Sequence, residues 1–337
     1  MMRKDELKDM TQKVFERHGL PEEISETVAD VLVHANLRGV DSHGVLRVEH
    51  YIKRMKEGGI NLNPQFREIE STSSTGTFDG DNGFGHFISK KAMESAVSKA
   101  KEEGIGAVAV KNSSHCGALS YFVSQATEQN LIGIAMTHAD KIVVPFGGSE
   151  PFFGTNPIAF GFPADEEEPV ILDFATSTVA LGKVLNAKEQ GNSIPNGWGV
   201  DENGSDTNIP EEVAALTPFG GPKGYGLAMV VEIFTALLTG AAFGPHISKM
   251  YGDYDKNREL GHFFIAIDPD KFVAIETFTS RLDQMIRELR EAPPAENVER
   301  IYVPGEIEMM NVKERENNGI PISDSIIEYL KTELNEK

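Results

Sequence analysis

Hydrophobic residues recur at helical spacing through the first part of the chain. Residues 4–37 show this period twice, interrupted at 18–21, and so predict two amphipathic helices. Ser42 is placed to cap a third helix that continues to about residue 57. A long helical period over 83–103 ends at a glycine.

The middle of the chain shows short apolar runs instead. They predict strands at 106–110, 131–136, 157–162 and 169–174, after weaker alternation at 65–78. A helical stretch at 118–129 separates the first two runs, which is the spacing of a βαβ unit.

The last part of the chain mixes both patterns. Residues 190–222 are rich in Gly, Pro and Asn and predict a long loop with short strands. Helices are predicted at 223–238, 271–290 and 322–335, and a strand at 263–267. The whole pattern predicts an α/β fold with a mixed sheet.

Composition and charge narrow the classes of partner. The net charge of −20 argues against nucleic acid or an anionic membrane surface as partner. The longest apolar stretch, 229–238, contains Glu232 and is too short to span a bilayer. Cys116 is the only cysteine, so no intramolecular disulfide can form. With no apolar signal core near residue 1, these features predict a cytoplasmic protein.

His115 is the first candidate for chemistry. It follows the strand predicted at 106–110, and open α/β sheets place reacting groups at such strand ends. An imidazole also has a pKa suited to proton transfer. Asp140 and Asp173 follow two further strands, and parallel neighbours would bring all three ends to one edge. At that edge an aspartate would hold the His115 imidazole in one tautomer. The alternative for Asp140 and Asp173 is a role in turn formation or helix capping.

A second candidate site lies on the predicted third helix. Helical spacing would put His43, Arg47 and Tyr51 on one face, with Ser42 at the helix start. A guanidinium between a histidine and a phenol is typical of a receptor for a small carboxylate. A solvated polar face is the alternative. Gly44 favours the functional interpretation, because glycine destabilises a helix by about 1 kcal/mol relative to alanine.

A glycine-rich stretch at 219–226 is the third candidate. It opens the helix predicted at 223–238, and helix N-terminal N–H groups together with Lys223 suit a phosphate. The chain has neither a P-loop nor the G-x-G-x-x-G dinucleotide fingerprint, so a nucleotide site here would not be of the Rossmann class. No metal-binding spacing of His and Cys occurs. A metal-assisted lyase or hydrolase and a non-catalytic nucleotide sensor are the rival functions.

Six segments of the chain carry a family resemblance. They are LRGVDSHGVLRVEHYIKRM, VKNSSHCGALSYFV, VVPFGGSEPFFGTNPIAFGFP, ILDFATSTVALGKV, SIPNGWGVDENG and GPKGYGLAMVVEIF. Together they resemble the malate/L-lactate dehydrogenase family that lacks a Rossmann fold, over about residues 5–306. The resemblance implies a non-Rossmann mixed sheet with helices on both faces.

The resemblance also implies the reaction and the assembly. We expect an NAD-dependent 2-hydroxyacid oxidoreductase, with NADP as the alternative cofactor, that forms a homodimer or a dimer of dimers. The motifs are most similar to those of ureidoglycolate-oxidising members, which implies oxidation of ureidoglycolate to oxalurate. Lactate, malate, sulfolactate and imino or keto acids are the alternative substrates. The resemblance implies three regions. Residues 1–75 form a helical segment for substrate binding and dimer contacts, residues 76–220 form a cofactor-binding α/β domain, and residues 221–337 belong again to the substrate and dimer region and end in a helical segment.

Single residues take roles from the same resemblance. His115 matches the catalytic acid/base, and Arg47 matches the carboxylate clamp. The substrate residues expected beside them are Ser42, His43, Tyr51 and Asp140. The cofactor residues expected from it are Ala139, Asp173, Phe174, Ala175, Lys223, Gly305 and Glu306. Ala139 stands where those members have a cofactor-contacting serine, so a side-chain hydrogen bond is lost there. No metal is expected.

Overall fold

The structure is a computed structural model that describes residues 1–335. Within them the helices are α1 (Lys4–Arg17), α2 (Glu22–Leu37), α3 (Val48–Glu57), α4 (Gly85–Glu103), α5 (Ser120–Thr127), α6 (Leu181–Glu189), α7 (Pro222–Glu232), α8 (Ile275–Glu291), α9 (Glu306–Asn318) and α10 (Asp324–Asn335). The strands are β1 (Arg67–Ser71), β2 (Thr75–Asp79), β3 (Ile105–Ser113), β4 (Ile132–Thr137), β5 (Ile158–Phe162), β6 (Val170–Phe174), β7 (Gly199–Val200), β8 (Asp206–Thr207), β9 (Ala215–Leu216) and β10 (Leu260–Ile267).

Seven strands form one mixed sheet in the order β1-β2-β3-β10-β4-β5-β6. Strand β10 runs antiparallel to both β3 and β4, and β5 runs antiparallel to both β4 and β6. Strands β3, β4 and β6 therefore point the same way and end at one edge of the sheet. The predicted arrangement as parallel neighbours is wrong, because β10 and β5 lie between them.

Helices cover both faces of this sheet, which confirms the predicted mixed α/β class. Alternate residues of β10 point to opposite faces, as in any strand. Phe264 packs in the cluster formed with α4 and α5, which includes Phe122. Phe263 packs on the other face with Val231 of α7.

A separate apolar cluster joins the two ends of the described chain. Helices α1, α2 and α10 meet in it through Leu7, Phe15, Leu32 and Leu330. Tyr51 of α3 lies in the same cluster, so this region carries one side of the site described below. The predicted break between α1 and α2 is confirmed.

The third helix begins later than predicted. It starts at Val48, and two 3₁₀ turns separated by an extended Gly44 precede it. The Asn36 side chain explains this, because its Oδ1 accepts the Val45 N–H at 2.8 Å. A Cβ at residue 44 would lie 2.2 Å from the same oxygen, so the Asn36 contact requires glycine there.

Two consequences follow for the candidate residues. Ser42 makes no capping hydrogen bond to α3; its hydroxyl contacts His43 Nδ1 at 3.1 Å. The prediction that His43, Arg47 and Tyr51 share one helical face is wrong, because only Tyr51 lies within α3.

The remaining elements follow the sequence pattern with few changes. The helix predicted at 223–238 is α7 continued by a π-helical turn, Ile233–Leu237. Helices α6 and α9 were not predicted. Across residues 1–335, none of the helices is sufficiently long and apolar to span a membrane.

Candidate active site

His115 lies just beyond the end of β3, held there by the neighbouring Ser114. The Ser114 hydroxyl accepts the Gly85 N–H and donates to the Gly83 carbonyl, both at 2.9 Å. A Cβ at Gly85 would lie 2.1 Å from the Ser114 carbonyl oxygen, so glycine permits this close approach. The start of α4 thereby fixes the turn that carries the imidazole.

Tyr51 is the hydrogen-bond partner of the His115 ring. Its hydroxyl lies 2.7 Å from Nδ1, and the Gly117 N–H lies 3.3 Å from the same nitrogen. Nδ1 is therefore turned toward the protein, and Nε2 remains for a ligand. A phenolic hydroxyl can donate or accept. When Tyr51 accepts, the proton is on Nδ1 and Nε2 is free to act as base, whereas the longer Gly117 contact favours the proton on Nε2.

The predicted aspartate partner of His115 is wrong for both candidates. Asp140 Oδ1 accepts from Arg258 Nη2 at 2.6 Å instead. Asp173 Oδ2 accepts the Ser120 N–H at 2.7 Å, at the start of α5. Because β10 and β5 separate the three strand ends, these carboxylates do not reach the imidazole.

The surroundings of His115 keep its ring neutral. Shielding from water lowers the pKa of His115 well below 6.5, and neighbouring His43 and the charge on Arg47 act in the same direction. Burial likewise lowers the pKa of His43 to about 4 and that of His86 to about 3. The histidine cluster is therefore uncharged near neutral pH.

This electrostatic environment predicts an unusual pH profile. Oxidation of a hydroxyl needs neutral His115 as base, and its lowered pKa keeps that form populated below pH 6.5. We expect kcat/KM for oxidation to stay level between about pH 8 and about pH 6, and to fall only at more acid pH. Initial rates across that range test this. A sigmoidal fall centred near the ordinary histidine pKa would contradict it.

Arg47 lies beside this cluster despite the altered helix start. Its Nε donates to the Ser42 carbonyl at 2.7 Å, and its Nη1 donates to the Tyr251 hydroxyl. The His43 ring stacks on the His115 ring at a centroid distance of 5.8 Å. The 3₁₀ turns thus bring Ser42, His43 and Arg47 to the imidazole.

A loop from Ser248 to Glu259 forms the opposite wall, which sequence reasoning missed. Buried Arg54 holds it, since its two terminal nitrogens donate to four backbone carbonyls between Lys249 and Lys256. The loop supplies Tyr251 to Arg47 and Arg258 to Asp140. Irregular backbone of this kind has no hydrophobic period that would predict it. The short sequence MYGD (250–253) is the one local feature that could have indicated this loop.

The end of β6 packs against the glycine-rich loop. The Phe219 N–H donates to the Thr176 carbonyl at 3.0 Å, and the Phe174 and Phe219 rings meet at 5.7 Å. The structure therefore brings Asp173, Phe174 and Ala175 near the stretch that carries Lys223.

Two features of this loop suit a phosphate. Gly220 has φ +57°, and a Cβ there would meet nothing within 4 Å, so the backbone is open to a ligand. Exposed Lys223 lies in the first turn of α7 and offers an amine. The helix start itself offers little, because Pro222 has no N–H and the Gly224 and Tyr225 N–H groups already donate to backbone carbonyls.

The last three cofactor candidates are Ala139, Gly305 and Glu306. Ala139 packs closely against Gly154. A Cβ added at Gly154 would lie 2.5 Å from the Ala139 carbonyl oxygen. Gly305, with φ +89°, starts α9 against β6. The Glu306 side chain pairs with Arg290 and Arg300, so its carboxylate is already engaged within the chain.

Cys116, next to His115, is not placed for chemistry. It is buried, and burial raises the pKa of its thiol to about 12, so the reactive thiolate is not populated. Among residues 1–335, no group of three or more His, Cys, Asp or Glu side chains is arranged to hold a metal ion.

Comparison with known proteins gives consistent similarities over nearly the whole chain. The family model described as malate/L-lactate dehydrogenase matches residues 2–331. Ureidoglycolate dehydrogenase (NAD(+)) of Escherichia coli O157:H7 is 42% identical over 93% of this chain and 89% of its own. Malate dehydrogenase of Pyrococcus abyssi is 39% identical over 97% and 92%. The solved sulfolactate dehydrogenase of Methanocaldococcus jannaschii superposes with a TM-score of 0.93 at 38% identity, covering 99% and 96%.

Proposed function

This chain belongs to the malate/L-lactate dehydrogenase family, and we propose that it oxidises ureidoglycolate to oxalurate with NAD. The observation that carries the proposal is the neutral His115 ring, hydrogen-bonded through Nδ1 to Tyr51 and flanked by Arg47. That set provides a proton acceptor and a carboxylate receptor side by side. The similarity to ureidoglycolate dehydrogenase supports the choice of substrate.

The chemistry needs two groups from the protein near the reacting carbon. Arg47 binds the substrate carboxylate through its guanidinium, and Ser42 and His43 line the same side. Nε2 of His115 takes the proton from the C2 hydroxyl during oxidation and returns it during reduction. Tyr51 holds the ring so that Nε2 faces the substrate. Binding both reactants in this arrangement supplies much of the rate through orientation.

The cofactor is proposed to lie where the end of β6 meets the start of α7. Asp173, Phe174 and Ala175 would line it, with Lys223 at the phosphates and Gly305 and Glu306 at its edge. Ala139 would contact the cofactor only through its backbone. When bound, the nicotinamide accepts a hydride from the substrate carbon or donates one to the oxidised form.

A homodimer is part of the proposal, supported by an exposed apolar surface. Helix α7 and the π-helical turn expose Met229, Val230, Ile233, Leu237 and Leu238, each between 42% and 59% accessible. Apolar side chains clustered in this way are typical of protein–protein contacts. A second copy of the chain is the proposed partner at this surface.

A panel of 2-hydroxy acids with both oxidised nicotinamides tests the function. Purified protein is mixed with NAD or NADP and with ureidoglycolate, lactate or malate, and the gain of reduced-nicotinamide absorbance is followed. We expect the highest kcat/KM with NAD and ureidoglycolate. Preference for another acid would overturn the substrate, and no turnover of these acids would overturn the proposed activity.

A further inference from the structure

Arg258 is a buried cation with unused hydrogen-bond donors. Its side chain is 2% exposed, and Nη2 pairs with Asp140 Oδ1 at 2.6 Å. Its Nε and Nη1 have no hydrogen-bond partner within residues 1–335. Buried donors on a charged group are rarely left unpaired, so these two are placed for a ligand or ordered water.

The position of Arg258 points to the substrate. Arg258 lines a small cavity of about 10 Å³ together with Tyr51 and His115, on the wall opposite α3. Arg54 also lines that cavity, but both of its terminal nitrogens donate to carbonyls of the loop. The Arg54 guanidinium therefore has a structural role, whereas Arg258 keeps two donors available beside the His115 imidazole.

Asp140 makes this a paired group. Its Oδ2 accepts the Met250 N–H at 3.1 Å, and its side chain remains 25% exposed. Each carboxylate oxygen has further acceptor capacity. The pair therefore offers N–H donors and carboxylate acceptors close together, with its two charges balanced.

Charge balance limits what this pair can bind. The substrate carboxylate belongs to Arg47 in the proposed function, and Asp140 already neutralises Arg258. A second anionic group on the substrate would face the Asp140 carboxylate, which is unfavourable. A methyl group would leave Nε and Nη1 of Arg258 without hydrogen-bond partners. An amide has a carbonyl to accept from Arg258 and an N–H to donate to Asp140.

We propose that the Arg258–Asp140 pair determines substrate specificity by binding an uncharged amide or ureido group attached to the reacting carbon. Arg258 donates to the carbonyl oxygen of that group, and Asp140 accepts its N–H. This inference rests on the proposed dehydrogenase function and deepens it, because it assigns the preference for a ureido acid over a dicarboxylic acid to two named side chains.

Substitutions in the pair test the inference through ratios between substrates. Asp140→Asn keeps the size and removes the negative charge, so kcat/KM for malate relative to ureidoglycolate should rise about a hundredfold. Arg258→Met should lower kcat/KM for ureidoglycolate about a hundredfold and that for lactate by no more than about tenfold. Lys53→Met is the matched control: Lys53 is an exposed cation stacked on Tyr254 of the same loop, and the ratios should not change.

The outcomes separate the inference from the function it rests on. Parallel changes for all three acids in both variants would overturn the specificity role, even with full wild-type activity. If wild-type protein turned over none of the acids, the proposed function would fail. The specificity inference would then be decided by the Tm shift that each acid produces with NAD present. Equal shifts for wild type and Asp140→Asn would overturn it.

Discussion

Replacement of His115 by asparagine should lower kcat about a thousandfold, within the range attributed to a positioned acid–base group. Asparagine can still meet the Tyr51 hydroxyl, which lies 2.7 Å from Nδ1 in the wild type, but it cannot carry a proton from the substrate. The rate of NAD reduction with saturating ureidoglycolate measures the loss. NADH binding, followed by fluorescence, should be unchanged.

The adjacent Cys116 provides the control. It is 1% exposed, and burial raises the pKa of its thiol, so Cys116→Ala should retain catalysis. A near wild-type kcat for His115→Asn would show that the imidazole does not take part in proton transfer. Equal losses in both variants would indicate disruption of the strand end instead.

Replacement of Arg47 by lysine should raise KM about a hundredfold, because a point charge cannot replace two parallel hydrogen bonds to a carboxylate. In the structure Arg47 Nε is fixed on the Ser42 carbonyl at 2.7 Å, and Nη1 meets Tyr251, so the side chain is preorganised. Lysine loses that support. Steady-state kinetics with ureidoglycolate and NAD separate KM from kcat, and kcat should fall much less.

Arg47→Met removes the charge as well and should raise KM further than lysine does. An unchanged KM with an equal fall in kcat and kcat/KM would show that Arg47 acts only in the transition state. Unchanged kinetics in both Arg47 variants would show that another residue binds the substrate carboxylate.

Local periodicity predicted the elements whose contacts lie close in sequence. The period of α1, α2 and α4 and the apolar runs of β3 to β6 appear in the structure with small shifts of their ends. The start of α3 could not be predicted in this way. It depends on the Asn36 side chain nine positions before Val45, a contact that competes with helix capping.

Partners distant in sequence were harder to predict. Tyr51 and His115 are 64 residues apart, and Asp140 and Arg258 are 118 apart. Strand β10, which separates β3 from β4, comes from the far end of the chain. Strand-end chemistry therefore identified His115 but assigned it an aspartate partner. Local residue patterns also indicated a carboxylate receptor at Arg47 and a phosphate contact at Lys223, and the family resemblance supplied the nicotinamide cofactor.

The central claim is that His115 transfers a proton during an NAD-dependent 2-hydroxyacid oxidation or its reverse. The most direct measurement is the absorbance of reduced nicotinamide after mixing wild-type protein, NAD and ureidoglycolate, with His115→Asn in parallel. The account predicts a steady rise with wild type and a nearly constant signal with the variant under the same saturation. A rise of equal rate in both samples, or none with wild type, would contradict it.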